Sequence, residues 1–233
     1  MNDLSVVIPV FMEDAKTVET LYTTLTAQGA EVIVVDDGNT MPELNITYYT
    51  YPAHMGYGYA IKEGVSKATR PIVAIMDGDG QHTTNDVALL YKVYKSVNDC
   101  AMVVGSRWNL SEVWYRWFFR KLLNFTASII ANHYLVDLNS GMRVVRKELL
   151  TAYEHILCDT FSFTTSLTMS VVTDNYKVVY IPIDVKPRAY GKSKVKLIKD
   201  GLVTVYYILW IGLALRTRHI RSILRQLRTN LIG

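Results

Sequence analysis

The sequence predicts an α/β protein built on a mostly parallel sheet flanked by helices. Three observations carry that prediction. Short β-branched runs recur along the first hundred residues, segments with helical spacing fill the intervals between them, and the runs are continuously apolar rather than alternating. Continuous runs belong to strands covered on both faces, and a strand–helix–strand order is how a parallel sheet is wound.

Taken in order, Leu4 to Ile8, Glu31 to Val35, Ile46 to Thr50, Ile72 to Met76 and Ala101 to Gly105 read as strands. Lys16 to Ala27, Tyr57 to Ala68 and Asn85 to Val97 read as the helices between them. In such sheets ligands bind beyond the C-terminal strand ends. After Ser106 the pattern loosens into a helix rich in aromatic and basic residues (Val113 to His133), a polar loop (Asp137 to Arg143), a helix (Phe161 to Thr173) and a last strand (Lys177 to Ile183).

A chain of 233 residues, half of them apolar, supports one such domain and a short appendage. The formal net charge of +4 conceals an asymmetry. Residues 1 to 185 carry 14 basic and 20 acidic side chains, whereas 186 to 233 carry 11 basic and one acidic, so a basic partner surface belongs at the C-terminal end. Cys100 and Cys158 stand alone, without zinc spacing or a disulfide framework, which fits a reducing compartment. No basic segment followed by a long apolar stretch opens the chain. The expectation is therefore no cleavable signal and a catalytic part facing the cytosol.

Two carboxylate motifs carry the chemistry. Val34-Val35-Asp36-Asp37-Gly38 ends a strand with adjacent acids, one able to accept from a ribose hydroxyl or base N–H while the other orients the loop; an Asx-turn closing the strand is the competing explanation. Met76-Asp77-Gly78-Asp79-Gly80-Gln81-His82 places carboxylates two residues apart after another strand. Its glycines let both converge on one hard cation, Mg²⁺ or Mn²⁺, whose shell diphosphate oxygens and water complete; a purely structural turn is the competing explanation. An EF-hand is excluded because the later oxygen ligands and closing Glu are missing. His54-Met55-Gly56-Tyr57-Gly58-Tyr59-Ala60 mimics a dinucleotide fingerprint, but Ile61 replaces its third glycine. Close approach to a nucleotide and a plain helix entry both remain open for it.

In this order, Val7-Ile8-Pro9-Val10 with Glu13, Val35-Asp36-Asp37-Gly38, Gly56-Tyr57-Gly58-Tyr59-Ala60 with Gly64, Asp77-Gly78-Asp79-Gly80-Gln81 and Gly105-Ser106-Arg107 resemble family 2 glycosyltransferases. Asp137-Leu138-Asn139-Ser140-Gly141-Met142-Arg143 and Arg188-Ala189-Tyr190-Gly191-Lys192-Ser193-Lys194 narrow the resemblance to the polyprenyl-phosphate hexose synthases, the dolichol-phosphate mannosyltransferase group. It covers roughly residues 4 to 200 and implies a GT-A catalytic domain over 1–194, followed by a membrane-associating tail over 195–233.

That resemblance implies roles. Pro9, Val10 and Glu13 with Asp36 hold the nucleoside; Asp37, Gly58, Asp77 and Gly78 belong to the same donor site; Asp77, Asp79 and Gln81 hold or surround the metal. Arg116, Arg120, Ser140 and Arg143 face the acceptor phosphate, and Arg188, Ser193 and Lys194 lie on a loop closing over the donor diphosphate. One departure is His54, where the family commonly has Asn. The implied reaction is inverting transfer of a hexose from GDP-mannose or UDP-glucose to a polyprenyl phosphate. Such a phosphate, with a second pKa of about 6, needs no strong base. The alternatives are a family 2 transferase with a glycan or protein acceptor, for which Asp137 is the candidate base, and a non-catalytic nucleotide-sensing membrane adaptor. No nucleic-acid-binding pattern accompanies the aromatic-basic helix, so nucleic acid is not an expected partner.

The tail is expected to lie on a membrane surface. Leu202 to Leu215 is shorter than the roughly 20 residues a spanning helix needs. Arg216, Arg218, Arg221, Arg225 and Arg228 interleave with Ile220, Ile223, Leu224, Leu227 and Leu231 at amphipathic spacing. Packing of 202–215 on the catalytic domain or on another copy of the protein is the competing arrangement, as is an extension through Val195 that tilts into the bilayer as a hairpin; a homo-oligomer or a membrane-protein partner is a further expectation.

Overall fold

In a computed structural model, residues 1–107, 114–186 and 201–215 are described, with 114–116 described by their backbone alone. Seven strands form one sheet: β1 (Leu4–Val10), β2 (Glu31–Asp37), β3 (Tyr48–Tyr51), β4 (Ile72–Ile75), β5 (Cys100–Arg107), β6 (Arg143–Arg146) and β7 (Lys177–Ile183). Their order is β3-β2-β1-β4-β6-β5-β7, parallel throughout except for β6, which runs antiparallel to both β4 and β5. The helices are α1 (Ala15–Ala27), α2 (Tyr57–Lys67), α3 (Thr84–Ser96), α4 (Trp114–Ala131), α5 (Lys147–Tyr153), α6 (Phe163–Thr173) and α7 over 201–215.

The apolar strand runs are buried on both faces, as their lack of alternation requires. On one side Leu4, Val6, Ile8 and Val10 of β1 pack with Val18, Leu21 and Leu25 of α1 and with Val87 and Leu90 of α3. On the other, Val7, Val35, Val73 and Ile75 pack with Ala60, Ile61 and Val65 of α2 and with Phe163 and Leu167 of α6. Local signals start the helices: the side chain of Asp14 accepts from Thr17 N at 2.9 Å ahead of α1, and Thr83 and Asp86 form a capping box on α3.

The chain leaves β1 toward β2 on one side and returns through α2 to β4 on the other. The C-terminal ends of β2, β1 and β4 therefore lie side by side at a topological switch, where the connections diverge and leave a crevice. Both carboxylate motifs end strands bordering it.

Sequence patterning missed β6 and α5. The strand Arg-Val-Val-Arg is four residues long with a charge at each end, which leaves no period to read. Its pairing with β4 and β5 makes it a strand. A third cluster joins Ala127 and Ala131 of α4, Met169 and Val172 of α6, and Ile208, Ile211 and Leu215 of α7. One face of α7 thus packs on the catalytic domain, in the competing arrangement for 202–215. Leu202, Tyr206, Leu209 and Leu213 on its other face are exposed.

Candidate functional site

The crevice holds a cavity of about 460 Å³. Pro9, Val10, Phe11 and Glu13 line it after β1, Asp37 after β2, His54 to Tyr57 at the entry to α2, and Asp77, Gly78 and Asp79 after β4. Thr160, Phe161 and Val203 complete the wall from segments distant in sequence. The parallel registers Val10↔Asp36 and Val7↔Ile75 bring these loops to one edge of the sheet.

Two of the implied metal residues, Asp77 and Asp79, line the cavity. Tyr57 Oη donates to Asp77 Oδ1 at 2.8 Å, and Gly141 packs against the same carboxylate. Burial, reinforced by Asp77, raises the Tyr57 pKa far above the ordinary phenol range, so it remains a donor. Asp79 Oδ1 accepts from Gln81 N at 3.0 Å, which fixes the turn. The Gln81 amide Nε2 donates to Lys186 O at 3.1 Å, and Lys186 N donates to Gln81 O. Among the described residues no group of three or more His, Cys, Asp or Glu side chains forms a metal cluster. The donor set present, two carboxylates on a tight turn opening into a cavity, fits a hard divalent ion such as Mg²⁺ or Mn²⁺ that takes the rest of its shell from phosphate and water.

At the end of β2 the two adjacent acids divide their work, contrary to the expected assignment. Asp36 is 0% exposed, and its carboxylate accepts from Thr40 N, Thr40 Oγ1 and Met41 N at 2.8 to 3.0 Å. The turn that closes the strand takes it out of nucleoside contact. Asp37 lines the cavity instead, accepting from Met55 N at 2.7 Å, Gly56 N at 2.9 Å and His54 Nδ1 at 2.7 Å. The His54 ring stacks on Phe11 with centroids 4.1 Å apart. Phe11 carried no signal in sequence, and His54 stood out only as a departure from the family's usual Asn, because the partner that orients it lies 17 residues away.

Several other expectations are corrected. Gly58 is buried where a Cβ would stand 2.0 Å from Cys158 O, so its small size serves the seating of α2 on the 158–159 backbone, and it is absent from the cavity lining. Arg143 is 0% exposed and does not face an acceptor. Its guanidinium donates to Ser140 O, Thr164 O and Thr168 Oγ1. Ser140 is likewise buried, donating to Gly105 O at 2.6 Å. Arg120 is half-buried on α4, and its charge helps to lower the pKa of Asp137. The side chain of Arg116, and Arg188, Ser193 and Lys194, lie outside the described residues, as does the basic stretch 216–233.

Asp137, the candidate base, is 1% exposed and held bidentately by Arg107 at 2.8 Å through both oxygens. Burial alone would raise its pKa, but the ion pair with Arg107 overrides it and holds the carboxyl below its ordinary value. A carboxylate so placed neither reaches a ligand nor takes up a proton readily. His82 is buried with Nδ1 unbonded, and burial lowers its pKa, which keeps the ring neutral.

Comparison with known proteins agrees with this fold. The chain is 27% identical to a dolichol-phosphate mannosyltransferase of Pyrococcus furiosus, over 83% of this chain but only 59% of that protein. It is 25% identical to an uncharacterised glycosyltransferase of Mycobacterium tuberculosis, over 89% of this chain and 96% of the relative. An undecaprenyl-phosphate 4-deoxy-4-formamido-L-arabinose transferase of Enterobacter is 24% identical, over 89% and 66%. The fold matches that of glucosyl-3-phosphoglycerate synthase from Mycobacterium tuberculosis, solved with Mn²⁺, UDP and phosphoglyceric acid, with a TM-score of 0.73 at 15% identity, covering 91% of this chain and 78% of that one. The GT-A architecture expected of the sheet is therefore present. The model of glycosyl transferase family 2 matches residues 5–153, well over half of the chain, and the protein belongs to that family.

Proposed function

We propose that this chain is an inverting hexosyltransferase that moves a sugar from GDP-mannose or UDP-glucose to a polyprenyl phosphate, on the cytosolic face of a membrane and with Mg²⁺ or Mn²⁺ at Asp77 and Asp79. The observation that carries the reading is the presence of Val203 in the cavity wall beside Phe161. Val203 belongs to α7, whose outward side chains Leu202, Tyr206, Leu209 and Leu213 are exposed. Helix α4 meets α7 through Ile130, which touches Gly212, and itself exposes Trp117, Phe118, Phe125 and Ile129. Apolar and aromatic surface of this extent beside a cavity that carries Asp77 and Asp79 suits an acceptor whose head group reacts while its chain stays in lipid.

A bound divalent ion would neutralise charge gathering on the departing nucleoside diphosphate. The chain's own residues supply position: Asp77 held by Tyr57 and Gly141, and Asp79 held by its turn. An acceptor phosphate oxygen forms its bond to the anomeric carbon as the bond to the diphosphate breaks, and attack from the opposite face inverts the centre. The buried, paired Asp137 weighs against acceptors that need a base. The relatives named for dolichol and undecaprenyl phosphates support a lipid acceptor. No helix among the described residues is long and apolar enough to cross a membrane. The exposed apolar side chains of α4 and α7 and the basic amphipathic spacing of the sequence beyond 215 support contact with its surface.

The test is incubation of the full chain with Mn²⁺ or Mg²⁺, labelled GDP-mannose or UDP-glucose, and a short polyprenyl phosphate, with phosphoglyceric acid as a parallel soluble acceptor. Label is expected in the organic phase and to be lost in Asp79→Ala with the fold retained. Label that reaches only the soluble acceptor, or no acceptor, would overturn the lipid assignment.

A further inference from the structure

We infer that His54 reads the base of the nucleotide donor by accepting its ring N–H, so that the site prefers uracil and guanine nucleotides to cytosine and adenine ones. The inference rests on the donor reading above and goes beyond it by naming the residue that discriminates and the edge it recognises. The cavity wall carries two chemically distinct groups: the carboxylates Asp77 and Asp79, with Pro9 and Val10 against the intervening Gly78, and the stacked rings of Phe11 and His54. A diphosphate with its cation belongs to the carboxylates, which leaves a flat heterocycle to the rings.

Beside His54, Asp37 is the obvious reader, but its oxygens already accept from Met55 N, Gly56 N and His54, and the side chain is almost wholly buried. It acts through His54. A carboxylate only accepts, so His54 must donate from Nδ1, and in the neutral ring Nε2 is then an acceptor. The His54 side chain is 56% exposed and lines the cavity, so Nε2 is the nitrogen left for a ligand. Stacking on Phe11, with ring planes 28° apart, holds the plane in which that lone pair lies.

Uracil carries N3–H and guanine N1–H on the pairing edge. Cytosine and adenine carry an unprotonated ring nitrogen at the corresponding position. An acceptor facing an acceptor forfeits the hydrogen bond and leaves both lone pairs unsatisfied, a loss of about tenfold in affinity at a half-exposed site. Phe11 and Asp37 are positioning residues here, while His54 makes the contact.

Calorimetric titration of the full chain with UDP, GDP, CDP and ADP in the presence of Mn²⁺ tests the assignment. UDP or GDP is expected to bind about tenfold more tightly than CDP and ADP. His54→Ala should bring that ratio close to one by weakening the preferred nucleotides and sparing the others. His54→Asn, whose amide oxygen is also an acceptor, should restore part of the selectivity. Because His54 is half-exposed, the alanine variant should melt with the parent protein, which a thermal scan checks. Equal affinities in the parent, or a ratio unchanged in His54→Ala, overturn the role of His54 while leaving the donor reading intact. Failure of every nucleotide to bind overturns both.

Discussion

The Tyr57 hydroxyl donates to Asp77 across 20 residues of sequence, and Gly141, a further 64 residues along, stands against the same carboxylate. Three separate connections thus aim one candidate metal ligand. A Cβ at Gly141 would come within 2.4 Å of Asp77 Oδ2, so Gly141→Ala must displace the carboxylate. Metal-dependent UDP binding is expected to weaken by about tenfold or more, whereas Tyr57→Phe, which loses one hydrogen bond, should cost about fivefold. Titration of Mn²⁺ at fixed UDP measures both. Unchanged metal dependence in Gly141→Ala would contradict the placement of the cation at Asp77.

Arg143 is expected to matter for stability ahead of turnover. Its truncation to alanine empties a large buried volume and strips hydrogen bonds from Ser140 O, Thr164 O and Thr168. The combined cost is about 3 kcal/mol or more. Urea unfolding should show the midpoint falling accordingly. A variant as stable as the parent but with impaired transfer would instead return Arg143 to the acceptor site.

The Asp137–Arg107 pair predicts an acid-sensitive element. The folded carboxyl titrates below its unfolded value of about 3.9, so its contribution to stability is complete well above that pH and is lost as the pH falls through the folded pKa. Asp137→Asn should therefore be destabilised at pH 7, and the difference from the parent should shrink below about pH 4. Denaturation curves at several pH values provide the check; a penalty independent of pH would mean that packing, not the ion pair, is at stake.

Exposed leucines on α7 give a test of membrane contact that leaves the core untouched. Leu209→Asp with Leu213→Asp removes two outward apolar side chains, each worth about 1.5 to 3 kcal/mol when fully buried. Flotation with liposomes containing anionic lipid should fall by at least about tenfold. Truncation after Leu215, which keeps the buried face of α7 on the core and removes the basic stretch 216–233, should lower it as well. Flotation equal to that of the parent in both variants would remove the tail and α7 as the anchor.

Local pattern and tertiary placement govern different parts of the molecule. The continuous apolar runs of β1, β2 and β4, the helical intervals and the two acidic motifs were legible because burial on both faces and strand-end turns impose their requirements on neighbouring residues. The four-residue β6 was not, because its edges are arginines and its identity as a strand depends on hydrogen bonds to β4 and β5.

The same division runs through the site. From sequence, Asp36 and Asp37 are two equivalent acids after a strand, and Arg143 is a cation in a polar motif. Tertiary structure separated them: residues 40 and 41 fold back to occupy Asp36, residues 54 to 56 turn Asp37 toward the cavity, and α6 draws Arg143 inward through Thr164 and Thr168. A parallel α/β sheet with acidic turns at its C-terminal edge follows from period, burial and adjacent residues alone. Which carboxylate, ring or guanidinium meets the cavity is set by tertiary contacts. A polar side chain spends its hydrogen bonds on whichever partner the fold brings nearest, and those partners lie as many as 41 residues away for Arg143 and 30 for Asp137.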